Sequence, residues 1–248
     1  MQREQLVTLA GGQGKRMNSD LPKPLIKIAG KTIIENLLER MRPLFPEPVI
    51  VVGYKGELIR KALGPSYIYA EQREQKGTAD ALLAAKEALA GVETVAVMPG
   101  DHPLVSLETI RELLNLIREK KTVMTLATLK FSDFENEGRV MARAGRIIRN
   151  TDGSVNRIVE FKDATEEERK ITEINPSYYC FDTKWLWENI GKITPNNAAK
   201  EYYLTDLLGI ATNQGHKVYS VEVKNPFEGM GVNTPEELAV VENYLKKS

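Results

Sequence analysis

Little in the 248-residue sequence supports disulfide, zinc or membrane chemistry. Cys180 is the single cysteine, so no intrachain disulfide can form, and with only His102 and His216 beside it no Cys/His zinc cage can be assembled. Such usage fits a reducing, cytoplasmic setting. No apolar run approaches the ~20 residues that span a bilayer. The stretch 6–10 runs into Gly11, Gly12 and Lys15-Arg16 and is too short for a secretory h-region, so a soluble, unprocessed chain is expected. Net charge is missing too: 34 Lys and Arg balance 34 Asp and Glu, which removes any long-range pull toward nucleic acid or anionic lipid. There are no repeats, heptad arrays or low-complexity linkers.

What is there is ordinary globular composition, 42% hydrophobic and 27% charged. A chain of this mass can bury about 70% of its extended surface around one core. Short apolar runs alternate with helical periodicity through the first half, the pattern of crossover units on a mainly parallel sheet. Segments 5–10, 48–53, 66–70 and 94–99 read as strands. Ile33, Ile34, Leu37, Leu38 and Met41 fall on one helical face behind a capping box of Thr32 and Glu35. Segments 78–90 and 106–119 read as the next helices. After 122–129 the texture changes: 131–150 carries Asp, Glu, Asn and Gly among short alternating segments, which suggests antiparallel hairpins added as a second lobe. Segment 154–161 alternates, 164–170 is a charged helical turn capped by Thr165 and Glu168, and 200–212 reads as an amphipathic helix. Thr234-Pro235-Glu236-Glu237 opens a last helix running through Tyr244.

The first strand ends in Leu9-Ala10-Gly11-Gly12-Gln13-Gly14-Lys15-Arg16-Met17. Glycines there let the backbone approach a ligand and turn successive N–H groups toward it, as an anion cradle requires. The loop is not a Walker A motif, because Arg16 follows Gly14-Lys15 and Leu9 stands where its first glycine belongs. Nor is it a dinucleotide fingerprint, since Met17 occupies a position that needs a small residue. A plain strand-to-helix turn with solvated basic side chains is the alternative. In Leu21-Pro22-Lys23-Pro24-Leu25 the restricted φ angles of two prolines hold the lysine on a stiff segment, suited to a ligand phosphate. Asp101 follows a strand at its carboxyl end, where open α/β sheets place ligands, although a turn aspartate in Gly-Asp-His-Pro is an equally good reading.

Taken in order, the glycine loop with Arg16, the Pro22-Lys23 pair, Gln72 with Gln75-Lys76-Gly77-Thr78-Ala79, Pro99-Gly100-Asp101-His102-Pro103-Leu104 and Glu137-Gly138-Arg139-Val140 resemble a known family. It is that of the nucleotidylyltransferases that join a sugar 1-phosphate to a nucleoside triphosphate. Val159-Glu160-Phe161-Lys162-Asp163-Ala164, Glu173-Ile174-Asn175, Glu201-Tyr202-Tyr203-Leu204-Thr205-Asp206 and Gly231-Val232-Asn233 narrow the resemblance. They are similar to the uridylyltransferase half of the bacterial bifunctional enzymes that form UDP-N-acetylglucosamine. The resemblance covers nearly the whole chain. It implies an α/β, Rossmann-like nucleotide-diphospho-sugar transferase fold: a mainly parallel mixed sheet flanked by helices, with a small antiparallel sugar-binding lobe. Residues 1–248 would form one domain, with 1–130 the nucleotide-binding core, 131–225 the sugar-binding lobe and packing elements, and 226–248 the metal asparagine and final helix. The hexapeptide-repeat half is missing, so neither acetyl transfer nor the trimer it organises is expected.

By the same resemblance Asp101 and Asn233 are the protein ligands of Mg²⁺, and so few ligands leave positions for phosphate oxygens and water. Leu9, Ala10, Gly11, Gly12, Gln72, Gly77 and Thr78 surround the base and ribose; without the family context Gln72 reads as a surface residue of the charged stretch 71–76. Gly138, Glu160, Asn175 and Thr205 hold the acetamido sugar, with Lys162 near its phosphate; exposed strand-end positions are the less favoured alternative for Glu160 and Asn175. Arg16 and Lys23 stabilise charge on the α-phosphate and departing pyrophosphate, and Lys15 either shares that work or is solvated. Tyr202 and Tyr203 read as packing residues.

The partners implied are a nucleoside triphosphate and a sugar 1-phosphate, with UTP and N-acetylglucosamine 1-phosphate expected. Departures keep rivals open. Gly11 replaces an alanine, Asp80 a histidine, Pro99 a tyrosine, and Pro176-Ser177 a Thr-Gly pair. A glucose 1-phosphate uridylyl- or thymidylyltransferase and a non-catalytic nucleotide-sugar-binding subunit are the alternatives. A glycosyltransferase would need the second aspartate that Asp101-His102-Pro103 lacks.

Overall fold

Alternation along β1 (Glu4–Leu9) sends Leu6 to one face of a sheet and Val7 to the other, and both are fully buried, as in a strand covered on both sides. The computed structural model describes residues 3–17, 19–135 and 137–247, without the side chains of Lys15 and Glu137, so the reading of Lys15 lies outside the described residues. A small hairpin of β2 (Lys27–Ile28) and β3 (Lys31–Thr32) leads into α1 (Ile33–Met41). Then come β4 (Val49–Val52), α2 (Gly56–Leu63), β5 (Ile68–Glu71), α3 (Thr78–Ala84), β6 (Thr94–Pro99), α4 (Leu107–Lys120) and β7 (Met124–Lys130). The second half contributes β8 (Gly145–Arg149), β9 (Val155–Val159), α5 (Glu166–Arg169), β10 (Glu173–Asn175), β11 (Tyr179–Asp182) and α6 (Thr183–Asn189). The chain closes with α7 (Asp206–Asn213), β12 (Tyr219–Glu222) and α8 (Pro235–Leu245).

The sheet runs β5-β4-β1-β6-β11-β7-β10-β8-β9, with β12 also on β7. The first four strands are parallel, and β11 lies antiparallel between β6 and β7. From β1 the chain steps to β4 on one side and later to β6 on the other, so a crevice opens at their carboxyl ends, where strand order reverses. β7 is shared: residues 125–128 pair with β12, while Leu129 and Lys130 pass to β10, which with β8 and β9 forms the antiparallel lobe. The α/β architecture with an added antiparallel lobe is the one expected. No helix among the described residues is long and apolar enough to cross a membrane.

Local signals placed several boundaries. The capping boxes Thr32–Glu35, Thr165–Glu168 and Thr234–Glu237 all form. Other elements differ from expectation. α2 carries no capping signal in the sequence: its N-cap, Lys55, is left-handed (φ 50) and makes no side-chain cap bond. The helix expected over 78–90 stops at Ala84, where the N–H groups of Ala85 and Lys86 turn back to the carbonyls of Leu82 and Leu83. Packing holds Ala85 and Leu89 buried through tighter turns that the high helix propensity of this stretch does not reveal. The helix expected over 200–212 begins only at Asp206. Tyr202 N–H donates to the Lys76 carbonyl, Ala79 N–H to the Tyr202 carbonyl, and Leu204 N–H to the Thr78 hydroxyl, so 202–204 is clasped in extended form against 76–79. β11, α6 and β12 lie in stretches that sequence reasoning left unassigned.

Arg146, at 1% exposure, braces the lobe. Its guanidinium lies against the rings of Phe134 and Phe161 and donates to the main-chain carbonyls of Ala142, Ala144 and Arg169. Lysine cannot reproduce that planar fork. Arg146→Lys is expected to lower stability by about 1–3 kcal/mol, the cost of leaving buried carbonyls unpaired, as measured by urea denaturation.

Candidate active site

The crevice beyond β1 and β6 is a cavity of about 1170 Å³. The glycine loop, Gln72, Gly77 and Thr78 line one side of the chain's contribution, and Glu160, Lys162 and Thr205 come from the lobe and the segment before α7. Arg16, Lys23 and Asp101 also line it. Arg16 is exposed and has no hydrogen-bond or ion-pair partner among the described residues.

Lys23 opens a short 3-10 turn, Lys23–Leu25, between Pro22 and Pro24. Gly14 is left-handed (φ 61), and a Cβ there would stand 2.8 Å from the Lys23 Cβ, so both backbone and space require glycine. The Lys23 ammonium, on a side chain 14% exposed, donates to Asp101 Oδ2 and to Asn233 Oδ1, the latter at 2.8 Å. Asn233 is brought there by its loop: Val232 N–H donates to the Asp101 carbonyl at 2.9 Å, and Asn233 N–H donates to Glu237, the acid of the α8 capping box. Burial pushes the Asp101 carboxyl up, but the Lys23 ammonium, together with His102 and a backbone hydrogen bond, outweighs it and holds the group below the usual carboxylate range.

Two hard oxygen donors therefore converge on one cationic point, and Asp101 Oδ1, also buried, has no hydrogen-bond partner among the described residues. This donor set fits Mg²⁺ with most of its shell left to phosphate and water; no group of three or more His, Cys, Asp and Glu among the described residues forms an all-protein cage. Behind Asp101, His102 Nδ1 is 2.8 Å from the Tyr178 hydroxyl, and burial pushes the imidazole down to about 4, leaving it neutral at pH 7.

Gln72 is not the surface residue its charged surroundings suggested; it is 6% exposed. Its amide nitrogen donates to the Gly77 carbonyl at 3.1 Å and to Asp80 Oδ2 at 2.9 Å. Both partners are acceptors, which fixes the amide orientation and leaves Oε1 an acceptor without a donor among the described residues. A Cβ on Gly11 would stand 2.8 Å from that oxygen. Gly77, with φ 127, lets the backbone of Tyr202 pack against it, completing the clasp between 76–79 and 202–204.

On the other wall Glu160 accepts a 3.4 Å hydrogen bond from Thr205, and burial, with Asp163 and Asp206 nearby, raises its carboxyl above the usual range. Lys162 is exposed at the rim. Two expected sugar residues stand off the cavity wall. Gly138 is buried under Phe131 and the Asp133 carbonyl, which leave no room for a Cβ. Asn175 is buried with its amide engaged: Nδ2 donates to the Tyr179 hydroxyl at 2.6 Å, and Oδ1 accepts from Ser177 N–H at 3.0 Å. Ser177 is left-handed (φ 67), where the resemblance has glycine, and that Asn175 bond helps hold it. Arg143, Arg169, Tyr179 and Tyr203 line the cavity without having been singled out as ligand-facing. Basic residues scattered through a charged lobe, and tyrosines beside apolar runs, carry no local signal of that placement.

Residues 6–137 match the MobA-like NTP transferase domain. The bifunctional protein GlmU of Clostridium acetobutylicum is 40% identical over 243 residues, which cover 96% of this chain and 51% of that protein. GlmU of Brevibacillus brevis is 40% identical over 243 residues, 97% of this chain and 51% of that protein. The chain thus spans about half the length of the curated relatives it matches. Among solved structures, UDP-glucose pyrophosphorylase complexed with UDP-glucose superposes with a TM-score of 0.78 at 19% identity, covering 100% of both chains. CMP:2-keto-3-deoxy-manno-octonic acid synthetase complexed with CTP gives 0.69 at 19% identity, covering 99% of each. At such identity these two establish the shared fold.

The raised Glu160 carboxyl has a definite sign. A carboxyl bound to its proton more tightly folded than unfolded contributes stability below its unfolded pKa and loses it as pH rises through the folded value. Glu160→Gln is therefore expected to be more stable than the parent at neutral pH, with the difference vanishing in acid, in urea titrations repeated across pH.

Proposed function

The chain belongs to the MobA-like NTP transferase family and is a nucleotidyltransferase; from that premise we propose that it transfers a uridylyl group from UTP to a sugar 1-phosphate, with N-acetylglucosamine 1-phosphate the leading acceptor. The observation that carries this reading is the convergence of Asp101 Oδ2 and Asn233 Oδ1 on one cationic point beside the glycine loop. The 40% identity to GlmU supports the choice of acceptor. In this reading 1–130 binds the nucleotide, 131–225 supplies the acceptor side, and 226–248 brings Asn233.

A sugar phosphate is mostly a dianion at pH 7, its second pKa being about 6, so the attacking oxygen needs no general base. What opposes reaction is the approach of two anions. Asp101 and Asn233 would hold Mg²⁺, which when bound would supply charge neutralisation at the phosphates. Arg16, exposed and unpartnered among the described residues, is placed to take a phosphate oxygen through charge-assisted hydrogen bonds. Lys23, held on its proline-flanked turn, offers its ammonium to the α-phosphate or the departing pyrophosphate when those groups replace its present partners. Glu160 and Thr205 provide acceptor and hydroxyl groups for the sugar, with Lys162 at the rim for its phosphate.

The fixed amide of Gln72 bears on the base. With its N–H₂ engaged by Gly77 and Asp80, Oε1 can only accept, and uracil and thymine present an imino N–H where cytosine presents a bare nitrogen. Asp80, standing where the resemblance has histidine, thus favours UTP or dTTP over CTP. A second acceptor, glucose 1-phosphate, is favoured by one observation: Asn175, expected to hold the acetamido sugar, is engaged within its own turn.

The test is pyrophosphate release from purified protein with Mg²⁺ and a panel of triphosphates and sugar 1-phosphates. Release that requires both substrates and is strongest with UTP, with CTP poor, is expected; no release across the panel would overturn the reading. Glucose 1-phosphate outperforming the acetamido sugar would select the second acceptor. In the active combination, Lys23→Ala is expected to lower kcat about 10²- to 10³-fold, the usual loss of one preorganised donor.

A further inference from the structure

Arg143, Lys162 and Arg169 line the cavity from the lobe, and none of the three is paired with an acid among the described residues. Elsewhere in the lobe Arg149 is paired with Glu173, Arg157 with Glu168 and Lys170 with Glu167. Two acids of α5 are thereby taken, which leaves Arg169 at its end without either. Of the carboxylates that share the cavity, Asp101 faces Lys23, and neither Glu160 nor Glu201 forms an ion pair with the three.

The buried Arg146 ties two of these cations to one spot. Its guanidinium donates to the carbonyls of Ala142 and Ala144, on either side of Arg143, and to the carbonyl of Arg169. The Arg169 guanidinium lies 4.9 Å from the centre of the Phe161 ring, and its Nε donates at 3.2 Å to the Phe161 carbonyl, next to Lys162. Both Nη groups of Arg169 have no acceptor among the described residues. A guanidinium anchored by a ring and by Nε presents its remaining N–H bonds as a ready fork, which matches two oxygens of a phosphate. Gathering like charges is unfavourable by itself: after burial, the charge of Arg169 is what pushes the Arg146 guanidinium down. An anion entering the cluster reverses that sign.

Two anions must meet in the reaction proposed above. Arg16 and Lys23 answer the charge of the triphosphate, and the second anion needs cations of its own. We infer that Arg143 and Arg169, with Lys162, hold the phosphate of the acceptor, so that the lobe receives a sugar 1-phosphate by its charge as well as by its hydroxyls. The inference rests on the proposed transfer to a sugar 1-phosphate and adds two arginines to the acceptor site. The acceptor phosphate is anionic before and during reaction, so loss of these contacts falls mainly on acceptor affinity.

Isothermal titration calorimetry on the purified chain, with Mg²⁺ and an α,β-methylene UTP analogue present, measures the Kd of N-acetylglucosamine 1-phosphate and of glucose 1-phosphate. Arg169→Gln and Arg143→Gln are compared with the parent and with Arg157→Gln, which removes an ion-paired arginine of the lobe outside the cavity lining. For the tighter acceptor, Arg169→Gln is expected to weaken binding about tenfold or more and Arg143→Gln about threefold or more, the loss of charge-assisted hydrogen bonds. Arg157→Gln, and the Kd of the UTP analogue in every variant, are expected to stay within about twofold of the parent, since no contact to the acceptor phosphate is removed there. Arg143 is exposed and unpartnered among the described residues, so its variant decides the matter if Arg169→Gln fails to fold. Inorganic phosphate tests the recognised group itself: it is expected to displace the acceptor from the parent and to bind Arg169→Gln more weakly by a similar factor. An unchanged acceptor Kd in either folded variant, an equal loss in Arg157→Gln, an equal loss for the UTP analogue or undiminished phosphate binding would overturn the inference, as would a parent that binds neither acceptor. Acceptor binding that depends on both arginines, without pyrophosphate release from any triphosphate, would overturn the proposed transfer and leave the phosphate site standing.

Discussion

A lysine ammonium held between a carboxylate and an amide oxygen joins three distant parts of the chain. Lys23 lies before the first helix, Asp101 beyond β6, and Asn233 at the threshold of the last helix. Breaking a largely buried pair of this kind leaves an uncompensated charge in a poor solvent for it, which is far worse than never having had the pair. The surrounding features follow from that constraint. Gly14 and two prolines fix the lysine, the parallel pairing of β1 with β6 brings the glycine loop beside Asp101, and the capping box of α8 orients the Asn233 loop. The same convergence of oxygens that satisfies an internal ammonium is what a hard divalent cation requires.

The nucleotide side is organised by a different economy of hydrogen bonds. Asp80 consumes one donor of the Gln72 amide and the Gly77 carbonyl the other, so that two neighbours fix which way this amide faces. On the acceptor side Glu160 stays largely desolvated without a cationic partner among the described residues. Such a group costs stability at neutral pH, since its ionised form is disfavoured by burial.

Much of the core was legible because its signals are local. Strand alternation and the three capping boxes depend on residues within one turn or one strand, and they placed β1, β6, α1 and α8. Family-like motifs likewise gathered Gly11, Gln72, Asp101 and Glu160 to one cavity. What stayed hidden depends on contacts far apart in sequence. The late start of α7 follows from bonds to residues 76–79, more than a hundred positions earlier, and the pairing of Lys23 with Asp101 spans 78 positions. Asn175 was read as ligand-facing because an amide suits a sugar, and nothing in its neighbours announced that Ser177 and Tyr179 would occupy it.

The clasp between residues 76–79 and 202–204 joins two sides of the cavity through two main-chain hydrogen bonds and a third from Leu204 N–H to the Thr78 hydroxyl. Main-chain bonds are indifferent to side-chain identity, so Lys76 and Tyr203 can change without loosening the clasp, whereas Gly77, whose Cβ would meet the Tyr202 backbone, and Thr78, whose hydroxyl accepts from Leu204, cannot. A strip that tolerates exchange at its outer positions while two inner ones stay fixed can vary the lining of the cavity without altering its width.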